Sequence, residues 1–257
     1  MIRSKVLIVI PTRLTSTRLP GKPMLDVGNG RSLIEQCYKS VLSATLLIST
    51  WDFRVVIATD CTELTHHCNS FAPLADVVQV DGDLASGTER VARLCQLEHF
   101  KAYSKVLVVQ GDEISTPDTL IKLMCLASDL LPPDRPPFRT PVITAVTSKH
   151  NNKKKSSDVF VFQDPEHNAI SFERGDKLSN LAKSLHLGYN LFTQSQLRFY
   201  LDTPPGGEEV KRSIELMRFV QAGYPVFVVD TPPVPSMMSV NTAEDLEEVR
   251  NQLGRHI

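Results

Sequence analysis

Val6-Leu7-Ile8-Val9-Ile10 runs directly into Pro11-Thr12-Arg13-Leu14-Thr15-Ser16-Thr17-Arg18-Leu19-Pro20-Gly21-Lys22-Pro23. An unbroken run of valine, isoleucine and leucine bounded by a proline reads as a strand buried on both faces, as in a parallel α/β sheet. The loop after it gathers Arg13, Arg18 and Lys22 with several hydroxyls and one glycine. Only clustered cations and backbone N–H groups can replace the hydration that clustered phosphates lose, so the loop suits a strongly anionic ligand, read as a nucleoside triphosphate. Gly21 allows a close backbone approach or a left-handed turn. Neither G-x-x-x-x-G-K-[ST] nor G-x-G-x-x-G occurs in this loop, which excludes those two phosphate-binding patterns. The plain alternative is a surface loop with scattered cations.

Outward from this stretch, short apolar runs alternate with helical patterns, the signature of β-α units around a largely parallel sheet. Strands are expected at Val6–Ile10, Arg54–Ala58, Asp76–Val80, Val106–Val109, Val142–Val146, Val159–Phe162 and Val226–Val229. Ser32 with Glu35 forms a capping box, Thr116-Pro117 a cap with a proline at the first helical position, and Thr242 with Asp245 opens a last helix. Leu246, Val249 and Leu253 share one face of that helix. The five prolines between Leu131 and Pro141 call for an extended connection. Lys149–Lys155 reads as a solvated basic loop.

At 257 residues, 42% hydrophobic and 22% charged, the chain is expected to fold as one α/β unit, with room for a small subdomain. A formal net charge of -1 argues against a general nucleic-acid binder, so any basic cluster acts locally. Cys37, Cys61, Cys68, Cys95 and Cys125 are odd in number with no C-x-x-C pair, and read as reduced thiols. No apolar stretch approaches the roughly 18 residues of a membrane span, and no signal-peptide pattern opens the chain. No membrane partner and a cytoplasmic location are expected.

Ser16-Thr17-Arg18-Leu19-Pro20-Gly21-Lys22-Pro23 resembles the N-terminal signature of the CMP-sugar-acid synthetases, most closely the 3-deoxy-manno-octulosonate (Kdo) cytidylyltransferases. Ala58-Thr59-Asp60, Ser86-Gly87-Thr88-Glu89-Arg90 and Gln110-Gly111-Asp112-Glu113 follow in the family's order. Weaker matches continue through His186-Leu187-Gly188, Glu215-Leu216-Met217-Arg218 and Val240-Asn241-Thr242-Ala243-Glu244-Asp245-Leu246, so the resemblance covers nearly the whole chain. It implies a Rossmann-like nucleotide-diphospho-sugar transferase fold: a mostly parallel mixed sheet flanked by helices, with a small dimerisation and acceptor subdomain. The single cytidylyltransferase domain would comprise a mainly nucleotide-binding part (1–148), an acceptor and dimerisation segment (156–200) and a return to the core (201–257).

The implied reaction is attack of a sugar-acid hydroxyl on the α-phosphate of CTP, with Mg²⁺ as cofactor and pyrophosphate as leaving group. The resemblance assigns Arg13, Lys22 and Asp112 to catalysis, and Pro11, Arg13, Ser16, Arg18, Lys22, Thr59, Asp60, Ser86, Gly87 and Arg90 to the nucleotide. Gln110, Arg174, His186, Asn190 and Glu215 fall to the acceptor, Asp112 and Asn241 to the metal. Asp112 follows a strand, at the edge where open α/β sheets bind ligands, and its carboxylate suits a hard cation. Helix capping competes as a reading of Ser86 and Thr88, and a structural role as one of His186. The partners implied are CTP and a small carboxylic or sugar acid, with a homodimer expected from the family.

Several positions depart from the family pattern. Asn241 replaces the second metal-binding aspartate, Leu216 a glutamine, Asn190 a tyrosine and Phe192 a second aromatic hydroxyl. Ala85 stands for a polar residue, Ile114 for a proline, Glu173 for a serine, and Arg212, on an expected helix from Lys211 to Ala222, for a glutamate. A Kdo-like 2-keto-3-deoxy acid is the main acceptor reading, and the preserved triphosphate side with an altered acid side suggests an acid other than standard Kdo. A non-Kdo acceptor such as an amino sugar acid or a phosphonocarboxylate is the first alternative, with a different triphosphate, a non-catalytic nucleotide-binding module and a plain structural α/β protein behind it.

Overall fold

The computed structural model describes residues 4–48, 51–114, 117–118, 120–123, 140–148, 155–175, 184–231 and 238–254. Its frame is a nine-stranded sheet. Strand β1 (Ser4–Pro11) pairs in parallel with β2 (Trp51–Thr59) on one side and β4 (Lys105–Val109) on the other, and β2 continues to β3 (Asp76–Gln79). On the far side of β4 lies β9 (Ser184–Thr193), antiparallel to both β4 and β6 (Val142–Ser148), and β6 pairs in parallel with β10 (Val226–Thr231). A hairpin of β7 (Val159–Gln163) and β8 (Ala169–Arg174) joins the sheet through β9. Two short strands, β5 (Glu113–Ile114) and β11 (Met238–Ser239), pair separately.

All seven expected strands are present. β5, β8, β9 and β11 were not anticipated, and β9 matters most because it reverses direction at the centre of the sheet.

The central strands bury both faces because helices cover both. Val6, Ile8 and Ile10 pack with Ile34, Tyr38 and Val41 of α1 (Leu33–Leu47) and Leu64 and Cys68 of α2 (Thr62–Phe71). Leu7 and Val9 face Val91 and Leu94 of α3 (Gly87–Leu94), Leu197 and Tyr200 of α4 (Gln194–Asp202), and Phe219. A third cluster joins Leu33 and Cys37 to Ile114, Val240, Leu246 and Val249, seating α7 (Ala243–Leu253) beside β5 and β11.

The caps follow the sequence. Ser32 accepts the Glu35 N–H at 3.3 Å, while the Glu35 carboxylate turns to Lys39 at 3.6 Å. Thr242 and Asp245 complete a reciprocal box at 3.2 and 3.0 Å. Residues 117, 118 and 120–123 are helical with Leu120 and Leu123 buried, but the Thr116 cap lies outside the described residues, as do Cys125 and 131–139 of the proline-rich connection.

Two local expectations are corrected. The helix read from Lys211 to Ala222 is two short helices, α5 (Gly207–Arg212) and α6 (Met217–Gln221), because Ser213 takes a left-handed conformation (φ 53°) and ends the first. Lys155 is not a plain solvated lysine: it pairs with Asp245 at 2.6 Å and Glu248 at 3.2 Å on α7. Lys153 and Lys154 lie outside the described residues. Cys37, Cys68 and Cys95 are buried free thiols, and Cys61 is partly exposed.

Candidate active site

The C-terminal ends of β1, β2 and β4 lie side by side, and the chain leaves each into a segment singled out from sequence. Thr12 N–H donates to the Ala58 carbonyl at 2.9 Å, starting the cationic loop against β2. Asp60 accepts the Leu14 N–H on both oxygens, at 3.0 and 3.1 Å. It anchors the loop from beneath.

The loop turns at Gly21 (φ 67°), and Lys22 and Pro23 enter a single 3-10 turn. Ser16 accepts the Leu19 N–H at 3.4 Å, which folds the loop on itself. Arg13 and Arg18 are exposed, and Arg18 donates to Asn241 Oδ1 at 3.3 Å. Lys22 turns inward: its Nζ lies 2.6 Å from Asp112 Oδ2 and 2.9 Å from the Val240 carbonyl.

At the end of β4, Gln110 N–H donates to the Gly188 carbonyl of β9 (3.1 Å), and Gly188 N–H donates to Glu113 (2.8 Å). Burial, with Asp112 nearby, pushes the Glu113 carboxyl up to about 8. Val240 N–H donates to the Asp112 carbonyl at 3.0 Å, which brings Asn241 to the same edge.

Helix α3 points its first turn at this edge. Ser86 accepts the Glu89 N–H at 3.0 Å, so the capping reading of Ser86 holds. A Cβ on Gly87 would lie 3.1 Å from Gln110 Oε1 and 3.3 Å from Pro11 Cγ, so the helix entrance meets β1 and the end of β4 with little room for a side chain. Thr88 donates to Glu215, whose carboxyl is pushed up by burial and pulled back by its bonds to Thr88 and Ser86.

Arg90 does not face this opening. It is 4% exposed and donates Nη1 to the carbonyls of Thr59 (3.4 Å) and Val80 (3.2 Å), tying the ends of β2 and β3. Thr59 is fully buried, its hydroxyl 2.6 Å from that of Thr65. Both therefore support the site from behind rather than lining it.

Apart from Gln110, which follows β4, the expected acceptor residues lie on β8, β9 and the α5–α6 turn. His186 Nε2 is 2.8 Å from the Thr144 hydroxyl, which donates to Asn190 Oδ1 at 2.7 Å. A hydroxyl has one proton, so Nε2 must carry the hydrogen of the imidazole. Burial holds His186 down to about 4, and Arg174 adds to the effect. The Arg174 guanidinium donates to the carbonyls of Arg212 (2.9 Å) and Ser213 (2.7 Å). Burial and the nearby Arg18 charge lower its pKa, while Glu215 opposes them.

Four departures from the family pattern prove to be buried, Ile114 (4% exposed) among them. Leu216 is 3% exposed, Phe192 is fully buried beside Phe219, and Asn190 (4%) is bonded to Thr144. The apolar three have no polar side-chain group for a ligand, and Asn190 Oδ1 is engaged by Thr144.

A support missed from sequence stands behind Ser86. The Tyr200 hydroxyl is 3.1 Å from Ser86 Oγ, and the ring lies 3.7 Å from the Arg218 guanidinium carbon. Arg218 forks onto Glu209 with two 2.6 Å bonds and donates to the carbonyls of Tyr200 and Thr203. Removing one partner of a buried pair costs about 3–5 kcal/mol. The four residues are scattered over Ser86–Arg218, and no local spacing signals their meeting.

A mainly parallel α/β sheet with phosphate-type cations and a carboxylate at its carboxyl edge defines a nucleotide-handling α/β enzyme. The family model for cytidylyltransferases matches residues 7–220. The 3-deoxy-manno-octulosonate cytidylyltransferase of Synechococcus elongatus is 31% identical over 95% of this chain and 96% of its own length. That of Polynucleobacter asymbioticus is 28% identical over 96% and 95%. The chain belongs to the cytidylyltransferase family. Among solved structures, CMP:2-keto-3-deoxy-manno-octonic acid synthetase complexed with CTP superposes with a TM-score of 0.79 at 24% identity, covering 99% of this chain and all of that one. A UDP-glucose pyrophosphorylase complexed with UDP-glucose follows at 0.64 and 12%, covering all of both chains. The fold is that of the Rossmann-like nucleotidyltransferases.

Proposed function

We propose that the enzyme transfers CMP from CTP to a Kdo-like 2-keto-3-deoxy sugar acid and releases pyrophosphate. The supporting observation is the meeting of Lys22 and Asp112 at the carboxyl edge of β4 (2.6 Å), with Arg174, His186 and Glu215 on the acceptor side. The relatives named for this activity span almost the full chain.

In this reading Arg13, Arg18 and Lys22 hold the triphosphate, and Ser16 shapes the loop around it. Charge growing on the leaving pyrophosphate is met by cations already in place, which is where such sites gain most of their rate. Pro11, Ser86 and Gly87 form the wall against which the nucleoside rests, while Thr59, Asp60 and Arg90 hold that wall from behind. Gln110, Arg174, His186 and Glu215 orient the acid, with Asn190 fixing the His186 ring. The acid's hydroxyl oxygen forms the new bond to the α-phosphorus, the bond to the bridging pyrophosphate oxygen breaks, and the hydroxyl proton departs.

Mg²⁺ fits the donor set only if shared with the substrate. Among the described residues no group of three or more His, Cys, Asp or Glu could hold a metal. Asp112 supplies one carboxylate and Asn241 one amide oxygen, as suits a cation that keeps its waters and takes one or two protein ligands beside phosphates. Bound there, Mg²⁺ would polarise the α-phosphate and lower the pKa of the attacking hydroxyl.

The reading extends to a cytoplasmic homodimer formed through the β7–β8 hairpin, in support of which Ile170 on β8 is 60% exposed. Among the described residues no helix is long and apolar enough to cross a membrane. Pyrophosphate release from CTP and Mg²⁺ over Kdo, its 8-amino form, sialic-type acids and phosphonocarboxylates tests the function. Kdo as the best acceptor is expected, and a clear preference for another acid would move the assignment to it.

A further inference from the structure

Strand β8 and the α5–α6 turn hold one another through two arginines reaching in opposite directions. Arg212 reaches back to β8: its Nη1 donates to the Phe172 carbonyl (2.9 Å), the Ser171 hydroxyl (3.0 Å) and the Glu173 carboxylate. Its Nε and Nη2 meet Glu208 at 2.6 and 2.5 Å. Arg174, next along β8, reaches the other way, with Nε on the Arg212 carbonyl (2.9 Å) and Nη2 on that of Ser213 (2.7 Å). Each side chain thus fixes the backbone from which the other projects.

Two further groups hang on this clasp. Phe172 meets His186 edge-on with ring centroids 5.5 Å apart. Ser213, held in a left-handed conformation, leads within two residues to Glu215, which accepts from Thr88. With Nε–H and Nη2–H on these two carbonyls and Nη1–H on that of Ser157 (3.4 Å), Arg174 holds its remaining N–H groups in one orientation.

We propose that Arg212 and Glu173 are a positioning pair for the acceptor acid, fixing Arg174 through the β8 backbone and the Arg212 carbonyl, and His186 and Glu215 through Phe172 and the Ser213 turn. The proposal rests on the acceptor reading of Arg174. It gives two residues outside that reading a part in recognising the acid, by a contact between side chains that come together only in the folded chain. Among the described contacts, neither member of the pair bonds to Lys22, Asp112 or the 12–21 loop. The pair's own side-chain bonds lie on the acceptor side.

The test is steady-state kinetics of R212M, R212K, E173Q and R174M with Kdo and CTP varied separately. R212M is expected to raise the KM for Kdo about tenfold and to keep that for CTP within about twofold, the loss typical of a displaced polar contact. R212K is expected to recover part of the loss, since an ammonium can reach Glu173 but cannot also span Glu208, Ser171 and the Phe172 carbonyl. Should R212M fail to fold, E173Q keeps the Arg212 bonds to Glu208 and Phe172 and is expected to show the same split at about threefold. Both KM values rising together, or neither rising, would overturn the pairing. If R174M raises the KM for Kdo and the pair variants do not, the pairing alone falls. If R174M leaves it unchanged, the acceptor reading falls and the proposal with it.

Discussion

Lys22 Nζ lies 2.6 Å from Asp112 Oδ2, so one ammonium joins the loop after β1 to the end of β4, and through the Val240 carbonyl also to the segment before α7. Residues 90 positions apart in sequence are thereby placed at one point on the sheet edge. The account of the chemistry depends on that point.

K22M removes the inward cation while Arg13 and Arg18 stay, and D112N keeps the shape of Asp112 but removes its charge. Each is expected to lower kcat by about 10²–10³, the cost of losing one preorganised electrostatic group in a transition state. D112N should in addition raise the Mg²⁺ requirement. Pyrophosphate release at saturating CTP measures both, and wild-type turnover in either variant would remove that residue from the chemistry.

Arg90 separates support from contact. R90M takes the guanidinium from the Val80 carbonyl and one of two donors from that of Thr59, which keeps the Val80 N–H, and a loss of about 1–3 kcal/mol in unfolding free energy is expected. Urea titration reads it. A variant of unchanged stability but weakened CTP binding would return Arg90 to the nucleotide side.

Asn241 carries an amide where the resemblance leads one to expect an aspartate. N241D adds a charge 3.3 Å from Arg18 and beside the Asp112 edge, and should lower the Mg²⁺ concentration that gives half-maximal turnover. Calorimetric titration of Mg²⁺ in the presence of CTP provides a second readout. Unchanged metal affinity in both would take Asn241 out of the metal site.

The pH dependence of stability has a definite sign at His186. Its folded value of about 4 lies below the ordinary 6.5, so the neutral imidazole's contribution is complete above pH 6.5 and is lost as pH falls towards 4. Wild type should lose more stability between pH 7 and pH 5 than H186Q does. Equal losses in urea midpoints would show that His186 is not held neutral by its burial.

The strands and their order around β1 were legible because a parallel strand buried on both faces writes itself as an uninterrupted apolar run. β9 was not, although Leu185, Leu187, Tyr189 and Leu191 alternate along it. The intervening His186 and Asn190 read as acceptor residues, and the fold places both on a strand. Lys22 and Asp112 could be singled out because a cation and a carboxylate follow strand ends in sequence, and Ser86 because it stands at a helix entrance. The inward turn of Arg90, the burial of Leu216 and Phe192, and the Arg174–Arg212 clasp could not, since each depends on which face a residue presents to a distant element. Ser213 shows the same limit locally: nothing in its helical neighbourhood announces a left-handed residue.

The most direct measurement is the product itself: mass analysis of the enzyme with Mg²⁺, Kdo and each of CTP, UTP and ATP, with pyrophosphate counted alongside. The account predicts a CMP ester of Kdo formed one to one with pyrophosphate from CTP, and little from the other triphosphates. CTP that binds yet yields neither ester nor pyrophosphate with Kdo or any acid of the panel would contradict it, and would leave a nucleotide-binding module.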